Sequence, residues 1–128
     1  MNQALNWLMS LAVLTLVSGR SFADGCTNPT TNYDKTYCIA KLFMESDKEL
    51  NDVYGDLRKM LKSEEQKGLK SVQLEWISYR NTSCEDKGMI AVDCNFKVNK
   101  ARTEYLRDRL RECKTGHCQP QLVKAKSW

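Results

Sequence analysis

From Thr36 to Lys62 the apolar residues Tyr37, Ile39, Leu42, Phe43, Leu50, Val53, Tyr54, Leu57, Met60 and Leu61 recur at helical spacing. The pattern predicts one long helix, weakened only at Gly55. Ser63-Glu64-Glu65-Gln66 then has the form of a capping box, in which the Ser63 hydroxyl accepts from the Gln66 N–H and the Gln66 side chain reaches back. A second helix is expected from there to about Cys84, with Leu69, Val72, Trp76, Ile77, Arg80 and Cys84 along one side. So little chain joins the two that they should lie antiparallel, as a hairpin. A third helix is expected from about Phe96 to Cys113, with Phe96, Ala101, Tyr105, Leu106 and Leu110 on its apolar face and Gly116 ending it. Asp24 to Lys35, rich in Thr, Asn and Pro, reads as an extended lead-in, and Glu85 to Asn95, with Gly88, reads as a loop. Gln119 to Trp128 has no clear period and is expected to be mobile. The fold class that follows is all-α, a small three-helix domain built on a long antiparallel helical hairpin.

The stripes of that hairpin are not clean. Asp47, Asn51, Gln73 and Arg80 interrupt them, which points either to specific pairing between the helices or to a binding surface. If the turn centres between Ser63 and Glu64, residues whose numbers sum to about 127 face each other. Asp47 then faces Arg80, Asn51 faces Trp76, and Tyr54 faces Gln73. An Asp47–Arg80 ion pair in that register could be bidentate. Because each polar residue gains a partner, an internal clasp is the more economical reading, with Trp76 in the core. Tyr79 lies off the main stripe and stays a candidate for contact with a partner.

Ahead of these elements, Asn6 to Val17 is an apolar run followed by Ser18-Gly19-Arg20 and Ser21-Phe22-Ala23, with small residues where a signal peptidase requires them. This reads as a cleaved secretory signal over residues 1–23, although its first residues lack the usual Lys or Arg. The run is too short to span a bilayer comfortably, so no membrane association is expected after cleavage. Six cysteines follow, Cys26, Cys38, Cys84, Cys94, Cys113 and Cys118, and an even count in a small exported chain implies disulfides. Many connectivities are formally open. Clustering favours Cys26 with Cys38, Cys84 with Cys94 and Cys113 with Cys118, each closing a short loop and contributing roughly 2–3 kcal/mol. The domain would then occupy residues 24–118, with 119–128 as its tail. Losing Arg20 with the signal lowers the formal net charge from +4 to +3, which is no signature of a nucleic-acid partner.

The placed residues are those by which the chain resembles the N-terminal domain of LprI-type lysozyme inhibitors, small exported bacterial proteins. Cys38, Asp47, Leu50-Asn51, Tyr54, Leu69-Lys70, Gln73, Trp76, Tyr79-Arg80 and Cys84 follow that family's order and approximate spacing. The resemblance covers about Cys26 to Cys113. It departs in the loop, where Gly88 alone stands for a Gly-Gly-Ser stretch, and in the Cys113–Cys118 cluster and tail, which look like additions. Cys26 also matches a lipoprotein signal poorly, because Asp24 precedes it. The resemblance implies an all-helical domain in the periplasm or secreted, and a protein partner that is a lysozyme or related muramidase. It makes Asp47, Leu50, Asn51, Tyr54, Gln73, Trp76 and Arg80 a family signature, read here as structural.

Other chemistry weighs less. His117, the single histidine, lies between Cys113 and Cys118, but cysteines so spaced in an exported chain are more often bonded to each other, and a fourth zinc ligand is not apparent. A nucleophilic triad would have to use that same histidine. Glu64-Glu65 is better explained as helix-start charge, and Asp108 with Glu112 as a solvated helix face. Arg102, Arg107, Arg109 and Arg111 could meet anionic polymer, yet the interleaved Glu104, Asp108 and Glu112 make surface ion pairing the stronger account. No cofactor, metal or catalysis is expected. The reading is an exported protein-binding domain that blocks a muramidase cleft sterically, with Tyr79, Glu85, Asp86 and Lys87 as first contact candidates. The alternatives are a non-inhibitory envelope or secreted interaction module of the same fold, or a saposin-like lipid binder, whose cysteines would usually link the chain ends.

Overall fold

The structure, a computed structural model, describes residues 26–128. The expected signal and its cleavage point lie outside the described residues. Three long helices follow in order, α1 (Asn32–Met60), α2 (Ser63–Ser83) and α3 (Val92–Lys114), with a short α4 (Pro120–Val123) after them. Between α2 and α3 sits a two-stranded antiparallel hairpin, β1 (Glu85–Asp86) and β2 (Met89–Ile90). The three cysteine pairs are those that clustering favours.

Each helix start departs from the expected one for a local reason. α1 begins a turn before Thr36, because Thr31 and Asp34 make a capping box: the Thr31 hydroxyl accepts from the Asp34 N–H at 3.0 Å, and the Asp34 carboxylate accepts from the Thr31 N–H at 3.4 Å. The cap of α2 is one residue earlier than the Ser63–Gln66 pair. Glu65 accepts from the Lys62 N–H at 2.9 Å, and the Gln66 amide instead donates to the Leu61 carbonyl. A carboxylate is the stronger acceptor at the positive end of a helix, so Glu65 displaces Gln66 from that role. α3 starts at Val92 instead of Phe96, since the hairpin uses up only six residues of the expected loop. Lys87 and Gly88, at φ 51° and 77°, turn it in the left-handed region that two-residue hairpins favour. The Ala91 N–H donates to the Cys84 carbonyl at 2.8 Å and closes the hairpin base.

The direction of packing can be read from the polar contacts. Ser46, Asp47 and Glu49 meet Asn99, Asn99 and Lys100, a nearly constant offset, so α1 and α3 run parallel. Arg80 meets Asn99 while Gln73 meets Arg102, so α2 runs antiparallel to both. Of all pairs, α1 and α3 pack most extensively. The core gathers Leu50, Leu57 and Leu61 of α1 and its end, Leu69 and Trp76 of α2, Leu106, Leu110 and Cys113 of α3, and Val123 of α4.

At 29 residues α1 is about 44 Å long, against about 32 Å for the 21 residues of α2. Its first turns therefore reach past the bundle, which leaves Tyr33 and Tyr37 exposed despite their apolar rings. The Cys26–Cys38 bond ties the lead-in back onto that overhang.

Residues 119–128, read in the sequence as having no element, hold α4 and dock on the other side. Val123 is fully buried, the Tyr105 hydroxyl donates to the Leu122 carbonyl at 2.6 Å, and Lys126 pairs with Glu75 at 2.5 Å. The stem of Lys124 lies so close to Gly68 that a Cβ there would meet it at 2.4 Å. A side chain at Gly68 would require the exposed Lys124 stem to move aside. The Cys113–Cys118 bond delivers the chain to this position.

Candidate binding surfaces

Near the hairpin end of the bundle, the polar residues of the stripes form a network. The Asp47 carboxylate accepts from Arg80 Nη1 at 3.0 Å and from the Asn99 amide at 3.3 Å. Arg80 Nη1 also donates to Asn99 Oδ1 at 3.0 Å, and the Asn99 amide reaches the Ser46 hydroxyl at 3.3 Å. The guanidinium lies over the Trp76 ring, 5.2 Å from its centroid, while its other nitrogens donate to Asn81. Asp47 and Arg80 thus face each other in the expected register, but through a single nitrogen shared with Asn99 and not as a bidentate pair.

Two other expected pairings are redirected. Asn51 is exposed and donates to Asp47 Oδ2, one turn back on its own helix, instead of packing on Trp76. Gln73 is buried and accepts from Arg102 Nε at 3.1 Å. The causes differ: α3 offers Gln73 a buried donor, whereas Asn51 stays on the exposed side of α1 and finds its acceptor on its own helix. Leu50 and Trp76 are core residues, and Tyr54 packs half-buried against them.

Beyond the clasp, the hairpin forms a projecting tip. Glu85, Asp86 and Lys87 are exposed together on it, with Met89 and Ile90 66% and 70% exposed. A groove of about 360 Å³ runs beneath, between Phe43, Arg80, Cys84, Glu85, Met89 and Ile90. Tyr79 opens onto a different depression. Its ring is 6.0 Å from that of Trp128, and the two help line a smaller cavity of about 140 Å³. The four contact candidates are therefore split between two places.

Sequence reasoning missed the inner face of α3. Asn95, Asn99, Arg102 and Thr103 are all buried, so the helix presents polar groups to the bundle where Phe96 and Ala101 were expected. Thr103 and Asn95 satisfy themselves on backbone carbonyls one turn back. Arg102, grouped with the solvated arginines by sequence, is 3% exposed and lies 5.4 Å from the ring centroids of both Tyr105 and Trp128. It makes no ion pair among the described residues, and burial lowers its guanidinium to about 10. The signal was present in the spacing Asn95, Asn99, Arg102, Leu106, which places two amides and a guanidinium on the stripe of a core leucine. The remaining arginines behave as expected: Arg107 pairs with Glu104 and Glu49, Arg109 with Glu112, and Arg111 with Asp108.

His117 is exposed on the loop closed by Cys113 and Cys118. Among the described residues no group of three or more His, Cys, Asp or Glu is placed to hold a metal, and no helix is long and apolar enough to cross a membrane. Three disulfides in so short a chain mark an oxidising compartment. No curated protein and no solved structure matches the chain significantly. The family profile described as Lysozyme inhibitor LprI does match it, over residues 26–106, from the first cysteine through the clasp to the core leucine of α3, and the chain belongs to that family.

Proposed function

We propose that this chain is a periplasmic or secreted, non-catalytic domain that binds a lysozyme or related muramidase and inhibits it by covering the saccharide cleft. The family match over the folded body carries the reading. The hairpin tip is the surface that suits it best. It combines the exposed side chains of Met89 and Ile90 with the charges of Glu85, Asp86 and Lys87. Its two carboxylates also give a locally acidic face to a chain of net +4, or +3 without the expected signal, which a strongly basic c-type lysozyme would otherwise meet with long-range repulsion.

Titration of the oxidised protein into c-, g- and i-type lysozymes, following muramidase rate and complex formation, tests the proposal. Saturable inhibition of at least one class is expected, and Met89→Asp with Ile90→Asp should weaken it by at least about tenfold, or about 1.4 kcal/mol. Absence of binding to all three classes sinks the inhibitor reading. Inhibition untouched by the hairpin variant moves the contact elsewhere and refutes the proposed surface.

A further inference from the structure

Among the described residues, Arg102 is the one buried cation without an ion-pair partner. Its Nε is committed to Gln73, its Nη1 reaches the Ser127 hydroxyl only at 3.5 Å, and its Nη2 is buried with no hydrogen-bond partner. A buried donor left unmet costs about 1–3 kcal/mol, more when charged. The guanidinium is therefore short of acceptors on the edge that carries Nη1 and Nη2, and Arg102 forms part of the wall of the 140 Å³ cavity together with Ser127, its long contact. The other walls are the rings of Trp76, Tyr79 and Trp128 and the side chains of Val98 and Ala101. Aromatic rings with a single cation suit a ligand with a flat or aliphatic face and one anionic group. The volume lies well below the roughly 300–1,000 Å³ of sites that enclose a whole drug-sized molecule. It fits a small group presented by something larger.

We infer that this cavity is a binding site for a carboxylate carried on a compact apolar or sugar-like body, which takes the place of Ser127 at Arg102 Nη1 and, as Ser127 gives way, supplies the acceptor that buried Nη2 lacks, with Trp128 and Tyr79 packing against the body. A phosphate would fit less well, because its two further oxygens would face aromatic carbon. Two sources in an extracytoplasmic setting share the chemistry, the lactyl ether of a muramic acid residue and the free carboxyl end of a short peptide. The inference is independent of lysozyme binding, since neither the hairpin tip nor its groove takes part.

The test is to follow the indole N–H resonances of the oxidised protein by NMR while adding N-acetylmuramic acid, N-acetyl-D-alanine, N-acetylglucosamine or chloride at equal ionic strength. Saturable shifts of the Trp128 indole are expected with one or both carboxylates, at affinities on the order of millimolar, and which of the two shifts it identifies the source. N-acetylglucosamine, which lacks the carboxylate, should leave the resonance in place. Arg102→Gln should abolish the response, and Trp128→Ala, a change at an exposed ring, should weaken binding at least about fivefold with the Trp76 indole as reporter. If neither carboxylate gives more than chloride does, if N-acetylglucosamine shifts the indole equally, or if the response survives both variants, the inference is overturned.

Discussion

Arg80 and Arg102 sit in comparable surroundings and are answered differently. Each projects between helices, and each lies over aromatic carbon, Arg80 over Trp76 at 5.2 Å and Arg102 over Tyr105 and Trp128 at 5.4 Å. Arg80 has a carboxylate at 3.0 Å and three neighbouring groups, Asn81, Asn99 and Trp76, that complete its hydrogen bonds or its packing. Arg102 has one amide oxygen, a long hydroxyl contact and no acid among the described residues. Aromatic faces soften the loss of water around a cation by roughly 1–2 kcal/mol, but they do not neutralise it. The contrast suggests separate roles: Arg80 fixes the register of three helices, and Arg102 holds unspent charge beside a cavity.

Trp76 links the two places, because its ring supports Arg80 and also lines the Arg102 cavity. At 2% exposure it is among the largest buried side chains. Trp76→Ala should therefore give the largest loss, about 3–5 kcal/mol in denaturant unfolding. A loss under about 1.5 kcal/mol would mean that the bundle can close around the gap and that the two arginines are not supported from a common ring.

Asp47→Ala comes next, at about 2–3 kcal/mol. Arg80, with only 14% of its side chain exposed, would be left without its acid, and that penalty outweighs the modest value of a half-exposed carboxylate. In a double-mutant cycle with Arg80→Ala, coupling of about 1 kcal/mol or more is expected, and additive effects would show that Asn99 alone suffices for Arg80.

The matching change on the other side has the opposite expectation. Arg102→Met combined with Gln73→Leu removes a buried unpaired cation together with the acceptor that would be orphaned. Stability should stay level or rise by about 1 kcal/mol in the same unfolding measurement. A loss as large as that of Asp47→Ala would erase the distinction between the two arginines.

What the sequence revealed divides along the same line. The Asp47–Arg80 register was legible because two helices joined by a short turn leave little freedom in how they align, and charge of opposite sign on facing stripes marks the alignment. The disulfide pairs were legible from spacing in the same way. Arg102 and Asn99 were not, because periodicity reports the face of a helix and not what lies opposite it. On α3 an arginine among glutamates reads as surface when its charge is weighed above its place on the stripe of Leu106, and its partners on α2 and in the tail are not visible in the spacing. The docking of Val123 and Trp128 escaped for a related reason: a four-residue helix has no period to detect, and the groups that hold the tail, Tyr105 and Glu75, lie on two other helices. The Ser63 cap failed on chemistry alone, Glu65 being a better acceptor than Gln66.

A third cationic cluster gives the solvated limit against which both arginines can be measured. Glu49 bridges Lys100 at 2.8 Å and Arg107, tying α1 to α3, and these bonds, Lys100 first and then Arg107, hold its carboxyl below the ordinary 4.5. With 37% of the Glu49 side chain exposed, water and salt screen the pairing. Since the folded value is the lower one, the stabilisation is fully present above pH 4.5 and is lost as pH falls through the folded value. Glu49→Gln should therefore cost less than about 1 kcal/mol at neutral pH and lessen the fall in stability on acidification below 4.5, measured as unfolding midpoints against pH. The cost should shrink further in high salt, whereas that of Asp47→Ala, resting on a half-buried contact, should change little. Equal salt sensitivity of the two variants would place the Asp47–Arg80 contact among the solvated pairs and remove the reason for treating it as the clasp of the fold.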